Sequence, residues 1–138
     1  MLPARLLDRL APGAHVHEAA CGSRFDDLES LARARPDLRL SASDVHPHLL
    51  EGAAGSIETF PLDLFDPDPA SLGDVDLIYA VRCPEELQGP LLDLADGLGA
   101  HAAIHALKDE RATLPGHPPG QLMQGEDGRS WRFWPAQA

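Results

Sequence analysis

Two periodicities of apolar and polar residues alternate along the 138-residue chain. Short, mostly apolar runs of strand length occur at residues 16–20, 38–42, 57–62, 75–81 and 102–107. Several segments between these runs carry apolar residues at three- and four-residue spacing, which is typical of a helix with one buried face. Strands and helices that alternate in this way predict an α/β protein with a mainly parallel sheet and right-handed crossovers.

Three segments show the helical spacing. The first lies within residues 1–12, where leucines stand at positions 2, 6, 7 and 10. The second begins near Phe25 and ends at Pro36, and the third follows Pro84. Pro90 falls inside the third segment and removes a backbone donor there, so we expect the first turn of that helix to be irregular or kinked.

The end of the chain has a different composition. Residues 108–120 are rich in proline, glycine and charge, which predicts a surface loop and a candidate lid. A chain of this length is most simply one domain, so we expect residues 1–138 to share a single core.

A hairpin is predicted after this loop. Residues 121–124 and 130–134 can pair across a turn that contains Asp127 and Gly128, a dipeptide that favours tight hairpin turns. Large aromatic side chains usually serve as core anchors. We therefore expect three aromatic residues to pack the hairpin onto a helix rather than to stack on a ligand: Trp131, Phe133 and Trp134.

The stretch from residue 15 to residue 44 has the shape of a nucleotide-binding βαβ unit. Gly22 lies in a turn after the first predicted strand, and Asp44 ends the second. Their separation of 22 residues (44 − 22) is close to the roughly 20 expected between a glycine turn and the acid that binds a ribose hydroxyl. Only one glycine is present where a dinucleotide fingerprint has three. The alternative, that Gly22 is simply a turn and Asp44 a solvated strand end, therefore stays open.

Charge near this turn favours one class of ligand. Asp26, Asp27 and Glu29 open the helix, where they suit its dipole but would repel a pyrophosphate. S-adenosylmethionine has a ribose for Asp44 and a cationic sulfonium that tolerates an acid such as Glu18, and it carries no phosphate. The charge pattern therefore favours S-adenosylmethionine as the cofactor.

Overall composition restricts partners and compartment. A net charge of −11, from 22 acidic and 11 basic residues, opposes binding to nucleic acid. There is no apolar run of about 20 residues and no secretory leader pattern, so we expect no membrane span and a cytoplasmic location. The two cysteines lack a CxxC spacing and are expected to be free thiols.

Arg82, at the carboxyl end of the fourth predicted strand, is the candidate catalytic residue. Its guanidinium can grip a carboxylate of cofactor or substrate through two parallel hydrogen bonds. Alternatively, it forms a salt bridge to Glu18 or Asp44 that ties the strand ends together. Both interpretations stay open, and the sequence contains no recognisable Ser-His-Asp or Cys-His arrangement.

Metal chemistry is a weaker alternative. His15 and His17 stand two residues apart on the first strand, where we expect a pair facing solvent rather than a metal site. Four further residues are expected near one edge of the sheet without a metal-binding spacing: Cys21, His46, His48 and Cys83. The prediction is therefore a site without metal.

Four segments, EAACGSRFDDLESLA, SASDVHP, LDLFDPD and DLIYAVRCPEELQGPLLDLA, resemble the mainly archaeal uncharacterised protein family zero-one-four-six. This family is a minimal relative of the class I S-adenosylmethionine-dependent methyltransferases. The resemblance implies a three-layer Rossmann-like sheet of order 3-2-1-4-5 with an antiparallel hairpin at one edge. It also carries cofactor contacts over to Glu18, Gly22 and Asp44, and places Asp63 beside the adenine.

Two positions depart from the methyltransferase pattern. Ala20 stands where methyltransferases and this family usually have the first glycine of the turn, and Arg24 stands where methyltransferases have the last. Both residues therefore adjoin the expected position of the amino-acid tail of the cofactor. The predicted function is that of a protein that binds S-adenosylmethionine, a minimal methyltransferase whose acceptor the sequence does not identify. The alternative is a non-catalytic Rossmann-like module that binds a nucleotide or a protein partner, including a second copy of itself.

Overall fold

The computed structural model describes residues 1–107, 114 and 116–136, and within them seven strands form one sheet of order β3-β2-β1-β4-β5-β7-β6. Strands β1 to β5 pair in parallel, and β7 pairs antiparallel with both β5 and β6. The elements are α1 (Ala4–Leu7), β1 (His15–Glu18), α2 (Asp26–Ala34), β2 (Arg39–Asp44), β3 (Ile57–Pro61), β4 (Leu77–Cys83), α3 (Glu85–Leu98), β5 (His101–Ala106), β6 (Gln121–Gln124) and β7 (Ser130–Trp134).

This architecture confirms the fold predicted from the sequence. The order 3-2-1-4-5 and the hairpin at one edge are both present, and the hairpin strands have the predicted bounds. The first predicted helix is short, because only Ala4–Leu7 is helical, although its leucine stripe is buried as expected. Helix α3 continues without interruption through Pro90. Residues 108–113 and 115 of the predicted loop lie outside the described residues.

Apolar side chains cover both faces of the sheet. On one face, α1 and α2 contribute leucines to a cluster that also contains Trp131 and Phe133 of β7. On the other face, α3 packs against alternate residues of β4 and β5, such as Ile78 and Ile104. This alternation follows from the two-residue period of a strand. Among the described residues, no helix has the length and apolar character needed to cross a membrane.

The prediction that His15 and His17 face solvent is wrong, because β1 lies between β2 and β4 and both faces of the sheet are covered. His17 is fully buried, and its two ring nitrogens lie 2.7 Å from the hydroxyls of Ser41 and Ser43. His15 Nε2 lies 2.6 Å from the Ser41 hydroxyl. The His17 ring also stacks on Phe60, at 5.2 Å between centroids. These contacts form a buried polar ladder between β1 and β2.

Burial lowers the pKa of His17 to about 3, so its imidazole is neutral at physiological pH. In the unfolded chain the same group has the ordinary histidine pKa of 6.5. Between these two values the unfolded state binds a proton that the folded state does not. Uptake of this proton by the unfolded state therefore lowers the free energy of unfolding as the pH falls from 6.5 towards 3.

Replacement of His17 tests this linkage. His17→Asn should be less stable than the wild type at pH 7 because it loses contacts with the two serines. The difference in the free energy of unfolding should shrink on acidification by up to about 1.4 kcal/mol per pH unit. The reason is that only the unfolded wild type takes up a proton at position 17, whereas asparagine does not titrate. Urea unfolding of both proteins between pH 7 and pH 4 measures the difference. A difference that does not change with pH would contradict the assignment.

Candidate functional site

The carboxyl ends of β1, β2 and β4 lie side by side at one edge of the sheet, because these strands are parallel neighbours. The chain leaves β1 towards β2 and β3 on one side and returns to β4 on the other. Open parallel sheets bind ligands at such a reversal of strand order, outside the carboxyl ends of the strands. We call the residues at and just after the carboxyl ends of β1, β2, β3 and β4 the strand-tip site.

The turn after β1 has the backbone conformation of a glycine-rich loop. Gly22 has a φ of +62° and Ala20 a φ of +52°, both in the left-handed region. A β-carbon added at Gly22 would meet no atom within 4 Å, so the turn is open there. Ala20 retains the left-handed conformation although an L-residue there costs about 1 kcal/mol. Ala20 therefore places a methyl group in a turn whose backbone conformation favours glycine.

Asp44 joins two loops at the strand-tip site. One carboxylate oxygen accepts a hydrogen bond from the Gly22 backbone N–H and the other accepts one from the His46 N–H, each at 2.9 Å. The residue is buried, with 8% of its surface exposed. A carboxylate offers about four acceptor positions, so about two remain for a ligand. The glycine turn and this acid therefore meet in the fold.

Glu18 lies at the end of β1, on the face covered by α2. It is only 3% exposed, and its Oε1 accepts a hydrogen bond of 2.7 Å from the Tyr79 hydroxyl. Burial is the main cause that raises the pKa of Glu18 to about 8; the charges of Asp27 and Asp26 act in the same direction, and the hydrogen bond from Tyr79 opposes them. Glu18 therefore holds its proton in most molecules at neutral pH. The Tyr79 ring meets Trp131 edge to face, at 6.0 Å between centroids.

The acids at the start of α2 are not all available to repel a phosphate. Arg129 Nη1 lies 2.9 Å from each carboxylate oxygen of Asp27, and the Met1 ammonium lies 2.8 Å from one of them. These ion pairs lower the pKa of Asp27, although its burial opposes them. Asp26 and Glu29 remain exposed. The charge argument against a phosphate ligand is therefore weaker in the structure than in the sequence.

Three other candidate residues lie at the surface. Arg82 is exposed and has a φ of +54°. Its backbone N–H donates to His105 Nδ1 at 3.2 Å, at the point where the pairing of β4 with β5 shifts register. Within the described part of the chain it forms no ion pair with Glu18 or Asp44. Arg24 is exposed. Asp63 is also exposed and accepts a hydrogen bond of 2.9 Å from the Phe65 N–H, which forms a local turn.

Both cysteines are free and buried. Cys21 and Cys83 belong to the two different apolar clusters, and burial raises the pKa of each thiol to about 12. The thiolate is the form that binds metal or attacks a substrate, so neither cysteine is activated. Within the described ranges, no group of three or more His, Cys, Asp or Glu side chains is arranged to hold a metal ion.

A cavity of about 780 Å³ adjoins the strand-tip site without including Glu18, Gly22 or Asp44. It lies between α3, the carboxyl end of β5, residues 117–120 and the β6–β7 hairpin. Arg129, which pairs with Asp27 beside the strand-tip site, also lines this cavity. The sequence suggested only a candidate lid in this region and gave no sign of the cavity, because its walls come from four separate segments.

One wall of the cavity depends on a glycine. A β-carbon at Gly120 would lie 2.7 Å from the Trp134 ring and 3.0 Å from the β-carbon of Arg132. The same segment is held by a 2.7 Å hydrogen bond from Trp134 Nε1 to the Pro118 carbonyl and by one of 3.1 Å from Arg132 to the Gly120 carbonyl. Trp134 thus contributes to this wall as well as to the apolar cluster on the α3 face.

The sequence matches the uncharacterised protein family UPF0146 over residues 3–117. A UPF0146 protein of Halobacterium salinarum is 29% identical over 106 residues, which cover 77% of this chain and 78% of that protein. A UPF0146 protein of Methanocaldococcus jannaschii is 30% identical over 96 residues, which cover 69% of this chain and 68% of the relative.

Solved structures with a similar fold include a SAM-dependent methyltransferase from Aquifex aeolicus, with a TM-score of 0.65 and 19% identity over 95% of this chain and 87% of that one. The antibiotic-resistance methyltransferase Kmr has a TM-score of 0.65 and 12% identity, with 99% and 94% of the two chains covered. PigF, in a structure with SAH, has a TM-score of 0.64 and 12% identity over 89% of this chain and 50% of its own. At these identities the likeness shows a methyltransferase-like fold.

Glu18→Gln tests the protonation of the buried acid. Between pH 4.5 and pH 8 the folded wild type binds a proton that the unfolded chain does not, so rising pH destabilises it by up to about 1.4 kcal/mol per unit. The amide keeps an acceptor for Tyr79 and cannot ionise. The stability of the variant relative to the wild type should therefore increase from pH 5 to pH 8, as measured by urea unfolding. Glu51→Gln, at an exposed position, is the control for loss of one surface charge.

Gly120→Ala tests the cavity wall. The added methyl group meets an aromatic ring and a β-carbon that cannot move aside freely, so the free energy of unfolding should fall by about 1–3 kcal/mol. Gly55→Ala is the matched control, because a β-carbon there meets nothing within 4 Å. Chemical denaturation of both variants gives the comparison, and equal stability of the two would show that the wall can shift at little cost.

Proposed function

This chain belongs to the uncharacterised protein family UPF0146, and from that family and its methyltransferase-like fold we propose that it binds S-adenosylmethionine at the strand-tip site. The observation that carries the proposal is the hydrogen bond between Asp44 and the Gly22 N–H, at 2.9 Å. This bond holds the open turn beside Asp44, the acid that we propose binds the ribose, at the reversal of strand order. PigF, which shares the fold, has been solved with SAH.

Each strand-tip residue has a proposed part in binding. The two remaining acceptor positions of Asp44 suit the two hydroxyls of a ribose. The open side of the Gly22 turn accommodates the amino-acid part of the cofactor, beside Glu18 and Arg24. We place the adenine beside Asp63, which follows β3, as the family resemblance implies. No phosphate is needed for this arrangement, in keeping with exposed acids at the start of α2.

Methyl transfer is the activity that we propose for the bound state. The cofactor supplies an electrophilic methyl group, and the main contribution of the protein is to align an acceptor with it. Arg82 is the candidate for holding the acceptor, since its guanidinium is exposed at the tip of β4 and its backbone is fixed by His105. The left-handed backbone at Arg82 is the kind of strain that clusters at functional sites.

A second function is favoured by the bonding of Asp44 itself. Both of its carboxylate oxygens already accept backbone hydrogen bonds, so the role of the acid in tying two loops together is complete without a ligand. In that case the domain is a non-catalytic Rossmann-like module, and its ligand or protein partner binds elsewhere on the surface.

Cofactor titration decides between these two functions. Asp44→Asn should weaken S-adenosylmethionine binding at least about tenfold, because one ribose acceptor is replaced by a donor; tenfold corresponds to about 1.4 kcal/mol. Asp68→Asn is the matched control, since Asp68 also accepts a backbone hydrogen bond but lies in the loop before β4. Isothermal titration of S-adenosylmethionine, S-adenosylhomocysteine and NAD into each protein gives the affinities.

We expect binding of the two sulfur ligands by the wild type and by Asp68→Asn, and no binding of NAD. If the wild type binds none of the three, the non-catalytic module is the better description. Circular dichroism of Asp44→Asn separates lost binding from lost folding, and equal affinity of the two variants would exclude Asp44 as a cofactor ligand.

A further inference from the structure

Arg132 carries a charge without a counterion in the cavity beside the strand-tip site. Its side chain is half-buried on β7, and one of its guanidinium N–H groups donates to the Gly120 carbonyl at 3.1 Å. A guanidinium has five such donors, so this bond leaves most of them unused. Among the described residues Arg132 forms no ion pair, although the chain has twice as many acidic as basic residues.

The other charged groups of the cavity are already paired. Asp127 accepts from Arg129 and from the Met1 ammonium, at 3.3 and 2.9 Å. His117 lies between two carboxylates of α3, with ring nitrogens 2.7 Å from Asp93 and 3.2 Å from Asp96. Among the described lining residues, the charge that lacks an ion-pair partner is therefore the positive charge of Arg132.

His105 adjoins Arg132 along the sheet, but its ring lies on the opposite face, against Trp131. It lines the same cavity, and its Nδ1 accepts the Arg82 N–H. Burial lowers the pKa of His105, which favours the neutral ring. With Nδ1 acting as an acceptor, the neutral imidazole carries its proton on Nε2 and can donate from that atom.

Apolar groups make up much of the remaining wall. Ile104, Leu114, Leu122 and Trp134 line the cavity, and Leu122 is 55% exposed although it is a large apolar residue. The volume of about 780 Å³ lies within the range of about 300–1,000 Å³ usual for small-molecule pockets. Such a pocket fits an apolar body with one anionic group.

We propose that this cavity binds a small organic monocarboxylate with an aromatic or aliphatic body, whose carboxylate pairs with Arg132. A guanidinium matches the planar geometry of a carboxylate through two parallel hydrogen bonds. A multiply charged phosphate is disfavoured, because Asp127 lines the same cavity and the net charge of the chain is −11. The site is separate from the strand-tip site, so it does not rest on the binding of S-adenosylmethionine.

Acid and amide pairs of the same shape test the proposal without any cofactor. The probes are 4-phenylbutyrate, indole-3-acetate and octanoate, each with its neutral amide. Binding is followed by the indole N–H resonances of ¹⁵N-labelled protein, which has two tryptophans. At least one acid should shift the Trp134 resonance in a saturable way and bind about tenfold or more tightly than its amide, as a charge-assisted hydrogen bond provides.

Two variants locate the charge that is responsible. Arg132→Gln should remove the preference for the acid over the amide and leave amide binding unchanged. Arg5→Gln makes the same change in net charge at an exposed position of α1 and should behave as the wild type. If Arg132→Gln does not fold, the comparison of acid with amide on the wild type still decides. The proposal is overturned if no acid is preferred to its amide, or if binding leaves the Trp134 resonance unmoved.

The failure of this proposal is distinguishable from the failure of the proposed function. A protein that binds S-adenosylmethionine but shows no preference for the acids keeps its cofactor site and loses only the carboxylate site. A protein that binds the acids but not S-adenosylmethionine keeps the carboxylate site and loses the proposed cofactor site.

Discussion

Strand β1 is buried along its whole length although three of its four residues carry polar side chains. A buried polar group is costly unless it has a hydrogen-bond partner, so β1 can be central only if its neighbours supply partners on both faces. On one face Ser41 and Ser43 of β2 meet His17, and on the other Tyr79 of β4 meets Glu18. These contacts fix the register of β1 against both neighbours, and the strand-tip site depends on that register.

The fold could be predicted because its signals are local. The apolar runs of β4 and β5 and the Asp127-Gly128 turn each specify a short segment, and a parallel sheet with one antiparallel edge follows from their order. The environment of β1 could not be predicted in the same way. Alternating polar residues suggest a half-exposed strand, and only the three-dimensional pairing with Ser41 shows that His15 and His17 are buried.

The candidate site was predictable in part for the same reason. Gly22 and Asp44 are related by a spacing within one βαβ unit, and the structure joins them by a hydrogen bond. The contact between Asp27 and Arg129 spans 102 positions and has no local signal, yet it changes the electrostatics at the start of α2. Arg132 acquires its environment from segments that are distant in sequence, so its unpaired charge is visible only in the fold.

The last strand of the chain also determines when the domain can finish folding. Trp131 and Phe133 of β7 are among the largest side chains of the apolar cluster that contains Leu6 and Leu28. At about 5–20 residues per second, a ribosome needs roughly 5–20 s to pass from Leu28 to Trp131. During that interval the emerging chain exposes the leucines that later cover these aromatic rings. The apolar cluster on this face can therefore be completed only after β7 has emerged.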